Sequence, residues 1–240
     1  MNKITFGTYN DILYNETSLM PQPLSKYVPN WYKNIKPIEN TKSTWDYLKF
    51  YKTVKSCPSF IDIYKYGFVI LAPMDYLINV NEDSTYNWKT PINFTTENGL
   101  PAIQDHADLQ LLDHINNKNY KMILKINLPL KVFTPKNYSC YQLPIPYEEN
   151  NTWEAAFGML RTDKIHPVNI QIIIKQYGEI LIKQGTPLAI YLPYKRNQLE
   201  LEYVNLNSND KFRKKDKGTY LKQYGSFKHG VKGYLDDNKS

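Results

Sequence analysis

His106-Ala107-Asp108, with His166 further along the chain, are the residues best suited to hold a metal. Two imidazoles and one carboxylate form the facial ligand set of non-haem iron oxygenases, which leaves positions open for oxygen and substrate. That chemistry stands third among the readings developed below. The bland alternative is a set of loop histidines, since H-x-D is short enough to recur by chance. Asp105, Asp108 and Asp113 cluster near His106 and His114, and a solvated acidic loop accounts for them. No Ser/His/Asp, Cys/His or paired-carboxylate arrangement stands out, and no Gly-rich phosphate loop joins a strand to a helix. Cys57 and Cys140, far apart in sequence, read as reduced, semi-buried thiols rather than a disulfide or a zinc pair. No cofactor is expected.

A second group has charge rather than ligand chemistry. Lys211, Arg213, Lys214 and Lys215 lie in the run KFRKKDK. Residues 207–240 hold nine Lys/Arg against four Asp, which is +5 of the net +7. Phe212, Tyr220, Tyr224, Phe227 and Tyr234 are interleaved with these cations. The run reads as a solvated tail, or as an electrostatic contact to nucleic acid or an acidic protein. Only three basic residues are Arg (Arg161, Arg196 and Arg213), which weakens sequence-specific reading of DNA. A third group is aromatic. Trp31 and Tyr32, after Pro29 and Asn30, read as an anchor on the protein's own surface or as a patch for a partner. Asn30 is expected to cap the short helix that carries them.

The elements that must position these groups are mainly strands. Val168–Ile174 is rich in β-branched residues and starts in alternation, as a pleated strand requires. Ile180–Ile182 and Leu188–Leu192 follow after turns at Tyr177–Glu179 and Lys183–Pro187, the latter strand stopping at Pro193. Lys131–Arg196 is thus the centre of a β-rich domain. Upstream, Lys3–Phe6, Phe68–Pro73, Tyr76–Val80, Tyr86–Lys89 and Tyr120–Ile126 read as strands. Phe60, Ile63 and Tyr64 have helical spacing, with Gly67 as a stop. Trp45–Tyr51 is expected to form one or two helical turns, and Glu200–Val204 a last edge strand.

Short strands between Gly and Pro turns favour antiparallel pairing over βαβ units. The 240 residues are 42% hydrophobic and 14% aromatic, enough for one sizeable core. No apolar run reaches the ~20 residues of a membrane span, and the N-terminus lacks a signal core. We therefore expect a mainly β fold (antiparallel sandwich, barrel or β-clip-like) with a few short helices. Residues 1–206 would form a single β-rich domain with an extended N-terminal segment, and 207–240 a basic C-terminal extension.

SKYVPNWYK, TVKSCPSFIDIYKYGFVI, TPKNYSC and GTPLAIYLPYKR, in this order, resemble an uncharacterised family encoded by tailed bacteriophages. The resemblance implies a viral protein of the virion or of host takeover, and no particular chemistry. Over 131–196 the chain is also similar to the β-clip of trimeric dUTPases, through Gly158–Asp163, Val168-Asn169 and Ile182–Ala189. That family has a catalytic Asp three residues after the glycine, where this chain has Arg161, and a Tyr on the deoxyribose, where it has Lys164. An Arg cannot activate water as a base, so this likeness implies nucleotide binding near Arg161 and Asp163, in a nucleotide-binding protein that lacks the catalytic Asp or in a divergent nucleotide hydrolase.

The leading expectation is a non-enzymatic structural or interaction protein, plausibly part of a virion. Its contacts would run through Trp31, Tyr32 and the cations at 211, 213, 214 and 215. Its partners would be other phage proteins or copies of itself, with nucleic acid a candidate for the tail and no membrane involved. It would reside in the virion or the host cytoplasm, without a secretion signal. The β-clip nucleotide-binding protein is the first alternative and the iron oxygenase the second.

Overall fold

Strand β13 (Pro167–Ile174) shows the expected alternation, burying Val168, Ile170, Ile172 and Ile174. Its antiparallel neighbour β9 (Met122–Phe133) sets Ile126 opposite Ile170 and Leu124 opposite Ile172. Cross-strand aliphatic pairs of this kind stabilise a sheet face. Strands β1 (Thr5–Gly7) and β8 (Ile103–Asp105) pair with β9, and β11 (Trp153–Ala155) pairs with β13, completing a five-stranded sheet. The computed structural model describes residues 3–36, 38–40, 50–91, 99–105, 120–146, 150–209 and 211–215.

The second sheet is built from β2 (Gln22–Pro23), β5 (Phe68–Leu71), β10 (Tyr138–Leu143), β12 (Gly158–Leu160) and β15 (Pro187–Lys195), in the order β12-β10-β15-β5-β2. A third sheet joins β6 (Tyr76–Val80), β7 (Tyr86–Lys89) and β14 (Gly178–Ile182), and β3 (Ile38–Asn40) pairs with β4 (Phe50–Lys52). Among the described residues every pairing is antiparallel and no sheet closes into a barrel. Of the expected variants, the arrangement is that of a β-sandwich.

One core fills the space between sheets. It takes Leu124, Ile126, Leu128 and Leu130 from β9, Cys140, Leu188 and Tyr191 from the second sheet, and Ile78 and Ile180 from the third. A smaller core lies on the other side of the second sheet. There Val69, Leu71 and Ile190 meet Leu24, Phe60 and Tyr64. Alternation explains this double burial: Ile190 and Tyr191 are neighbours on β15 and point to opposite faces.

The helices are short: α1 (Asp11–Asn15), α2 (Asn30–Asn34) and α3 (Pro58–Tyr66). Pro58 opens α3, where its missing N–H has no intrahelical partner to lose. Gly67 ends α3, as expected, but not for its left-handed freedom, since its φ is −80°. Space is the reason: a Cβ there would lie 2.8 Å from the Ile63 carbonyl oxygen and 3.1 Å from Ile190 Cγ2.

Several expectations need correction. Helix α2 starts on Asn30 itself, after Pro29, with no side-chain cap. Phe50 and Tyr51 belong to strand β4, not to a helix, because they pair with β3; Trp45–Lys49 lies outside the described residues. Strand β15 does not stop at Pro193 but runs to Lys195. Beyond Tyr191 it pairs only with β10, and such an edge position admits proline. Glu200–Val204 forms no strand. Strand β8 was not foreseen, its three residues being hidden in a polar stretch. The chain contacts group residues 1–196 into one unit and 197–240 into another.

Candidate interaction surface

The outer face of the second sheet, turned away from the sandwich core, comes in two halves. Over β5 and the start of β15 it is roofed. Phe60 and Tyr64, one helical turn apart on α3, press onto Val69, Leu71 and Ile190 with Leu24. Tyr32 stacks on Phe60 at 4.4 Å between ring centroids, and Phe60 on Tyr64 at 4.7 Å. Trp31 touches Tyr32 and Phe60 edge-on, each at 5.9 Å, and is 38% exposed. Trp31 and Tyr32 therefore belong to an aromatic cluster that holds α2 against α3. The same cluster leaves one edge of Trp31 in solvent.

Over β10 and β12 the same face is open among the described residues. Tyr141 lies opposite Met159 on one side and Leu192 on the other, so all three point outward together. Tyr194 stacks on Tyr141 at 4.2 Å, and its hydroxyl donates to Met159 Sδ at 3.4 Å. Phe157 also stacks with Tyr141, at 6.0 Å. Phe157 is 67% exposed and Met159 63%. Large, rigid aromatics with a polar tip, beside a pliable thioether, are the residue types enriched at protein interfaces.

The rim of this strip is rigid. Arg196 Nη1 donates to Ser139 Oγ at 2.8 Å and to Asp163 Oδ1 at 2.9 Å, while Nη2 grips Asp163 Oδ2. Asp163 Oδ2 also accepts the Asn137 N–H at 3.1 Å, beside the left-handed turn at Asn137, φ 66°. Hydrogen bonds from Arg196 above all, with the Asn137 N–H, hold the Asp163 carboxyl below the usual carboxylate range against the opposing effect of burial. Beneath it, Thr134 and Thr162 share a hydrogen bond of 2.8 Å, and the Thr162 hydroxyl lies 3.7 Å from Cys140 Sγ. Burial pushes the Cys140 thiol up to about 11, so it is a packing group and not a nucleophile.

Arg161 is exposed on the turn before Asp163. The two share a turn, yet both Asp163 oxygens are engaged by Arg196. A cleft lined by Pro144, Ile145, Trp153 and Leu188, but not by Arg161 or Asp163, holds about 40 Å³, room for a water. His166 Nδ1 lies 3.0 Å from the Val132 carbonyl oxygen, and the ring packs on Phe133 at 4.4 Å. His106 and Asp108 lie outside the described residues. Among the described residues, no three His, Cys, Asp or Glu gather to hold a metal, and no helix is long and apolar enough to cross a membrane.

Lys211, Arg213, Lys214 and Lys215 sit exposed on one helical turn, started by Asn209, whose Oδ1 accepts the Phe212 N–H at 3.3 Å. The rest of the basic tail lies outside the described residues. The strip of Tyr141, Phe157, Met159 and Tyr194 was not singled out from sequence. Its signal was present in A-F-G-M-L, where Phe157 and Met159 alternate around a glycine and fall on one face of any strand. No family model, curated protein or solved structure matches the chain.

Proposed function

We propose that this chain is a non-enzymatic structural or interaction protein that works through the open half of its second sheet. The observation behind this reading is the strip formed by Phe157, Tyr141, Tyr194 and Met159, set on rigid strands and locked at its rim by the Arg196–Asp163 pair. A β-sandwich with such a face is suited to assembly, in which area and shape matter more than a reactive group. The sequence resemblance to a tailed-phage family directs the proposal to a virion component whose partners are other phage proteins or copies of itself. The cationic turn at 211–215 adds an electrostatic contact to an acidic surface or nucleic acid. Loss of that contact on replacing Lys211, Arg213, Lys214 and Lys215 by Ser, together with a steep salt dependence in the parent, tests it.

The test of the main reading is Phe157→Ser combined with Met159→Ser. Light scattering should show the parent above its chain mass of 28.3 kDa and the variant at that mass, with circular dichroism unchanged. A variant that associates like the parent removes the strip from the account.

A further inference from the structure

Three turns meet where β9, β12 and β15 end and β10 and β13 begin. The Thr134 N–H donates to the Thr162 carbonyl oxygen at 3.4 Å, and the Arg196 N–H to the Asn137 carbonyl oxygen at 2.7 Å. The Asn137 N–H reaches Asp163 Oδ2 at 3.1 Å. The N–H groups of Lys164 and Ile165 both donate to the Arg161 carbonyl oxygen at 2.9 Å, which closes the middle turn. Residues 134–138, 161–166 and 194–196 are thereby fixed to one another.

Charge collects on these turns. Residues 1–196 hold 21 Lys/Arg against 17 Asp/Glu, and the three turns hold five against one. The turns therefore carry +4, the whole net charge of residues 1–196, and everything else in that stretch balances to zero. Their one acid, Asp163, is taken up by Arg196. Lys136, Arg161, Lys164 and Lys195 remain, all exposed, and among the described residues none of them meets a carboxylate. Four like charges on a fixed frame repel one another, and an anionic partner relieves that repulsion.

A ring face lies beside the cations. Phe133 is 43% exposed and packs on the His166 ring at 4.4 Å, two residues after Lys164. Ile165, between Lys164 and His166, is 63% exposed. Cations next to exposed rings suit single-stranded nucleic acid, whose backbone brings a charge at every nucleotide and whose unpaired bases bring flat faces. A duplex keeps its base faces stacked inside, and an acidic protein surface matches the charge alone. Three of the four cations are Lys and Arg196 is engaged by Asp163, so bidentate reading of base edges is not what the site offers.

We infer that this end of the sandwich binds single-stranded nucleic acid without sequence preference. Lys136, Arg161, Lys164 and Lys195 take its phosphates, and a base stacks on Phe133. The site uses other residues than the Phe157–Met159 strip and the 211–215 turn, and stands without either.

The test is fluorescence anisotropy of a labelled thymidine oligonucleotide, titrated with full-length protein over a range of salt. One variant carries Lys136→Ser, Arg161→Ser, Lys164→Ser and Lys195→Ser. A second carries Phe133→Leu, which keeps an apolar side chain and removes the ring. The Ser variant should bind at least about tenfold more weakly, with the slope of log affinity against log salt reduced by about 3, since each lost phosphate contact removes about 0.7. Phe133→Leu should weaken binding about fivefold or more and leave the slope unchanged. A charge-keeping variant, with Arg161→Lys and the three lysines changed to Arg, should bind like the parent, and circular dichroism of all three should match it. A parent that does not bind the oligonucleotide overturns the inference, as does a charge-keeping variant as weak as the Ser variant. Equal affinity for a duplex of the same length, or Phe133→Leu binding like the parent, overturns the single-stranded assignment. Polyglutamate that displaces the oligonucleotide as readily as an unlabelled copy points to an acidic protein and overturns it too. Binding kept in the Ser variant but lost on replacing Lys211, Arg213, Lys214 and Lys215 by Ser moves the contact to that turn, which overturns the inference and leaves the proposed role of the turn intact.

Discussion

The two halves of the second sheet's outer face follow the same alternation and differ in what covers them. The roofed half is aliphatic and closed: Val69, Leu71 and Ile190 lie under Phe60, Tyr64 and Leu24. The open half is aromatic and sulfur-bearing: Tyr141 and Tyr194 stack on each other, and Phe157 and Met159 face solvent. A face meant only for water would place charges at these positions. The difference teaches that outward residues of one sheet can serve stability where a helix covers them and, in the function proposed above, contact with a partner where none does.

Substitutions should separate the halves by their energetic cost. Phe60→Ala removes the centre of the roof and should cost about 3–5 kcal/mol, the range for buried aromatic truncations, as read from urea unfolding. Gly67→Ala forces a Cβ against the Ile63 carbonyl and Ile190. It should cost about 1–3 kcal/mol by overpacking, with a lowered unfolding temperature. At the boundary of the open half, Asp163→Asn weakens the hold on Arg196 and should cost less. Its signature is pH dependence. The carboxyl is depressed in the folded state, so its contribution is complete above the ordinary carboxylate value of about 3.9. That contribution is lost as pH falls below this through the folded value. The gap between parent and Asn variant, measured by denaturant midpoint, should be open at neutral pH and shrink in acid. Phe157→Ser, within the strip, should change monomer stability by no more than about 0.5 kcal/mol, as exposed substitutions do. A large loss there would make the strip part of the core and erase the contrast between halves.

Reading these halves from the sequence succeeded where the period was clear. Val168–Ile174 announced β13 because β-branched residues alternated, and Phe60, Ile63 and Tyr64 announced α3 because they recurred at helical spacing. Strand β15 was cut short at Pro193 because a sequence does not say which strands have a neighbour on both sides. The helical turns expected at Phe50-Tyr51 gave way to pairing with β3, a tertiary effect that local propensity does not carry. The site was less legible than the fold. Trp31 and Tyr32 drew attention as a conspicuous aromatic pair, while the more exposed strip is assembled from β10, β12 and β15. Tyr141 and Tyr194 are distant in sequence and meet only through strand register. The alternation was legible, and Glu200–Val204 was expected as an edge strand; the chain shows the pattern without the pairing.

The account turns on the open half being covered in solution. Hydroxyl-radical footprinting with mass spectrometry, at low and high protein concentration, measures this side chain by side chain. Phe157, Met159 and Tyr194 should lose reactivity as concentration rises, while exposed Tyr9 and Tyr14 stay unchanged. Equal reactivity of the strip across the whole concentration range, in a protein whose mass shows that it associates, would contradict it.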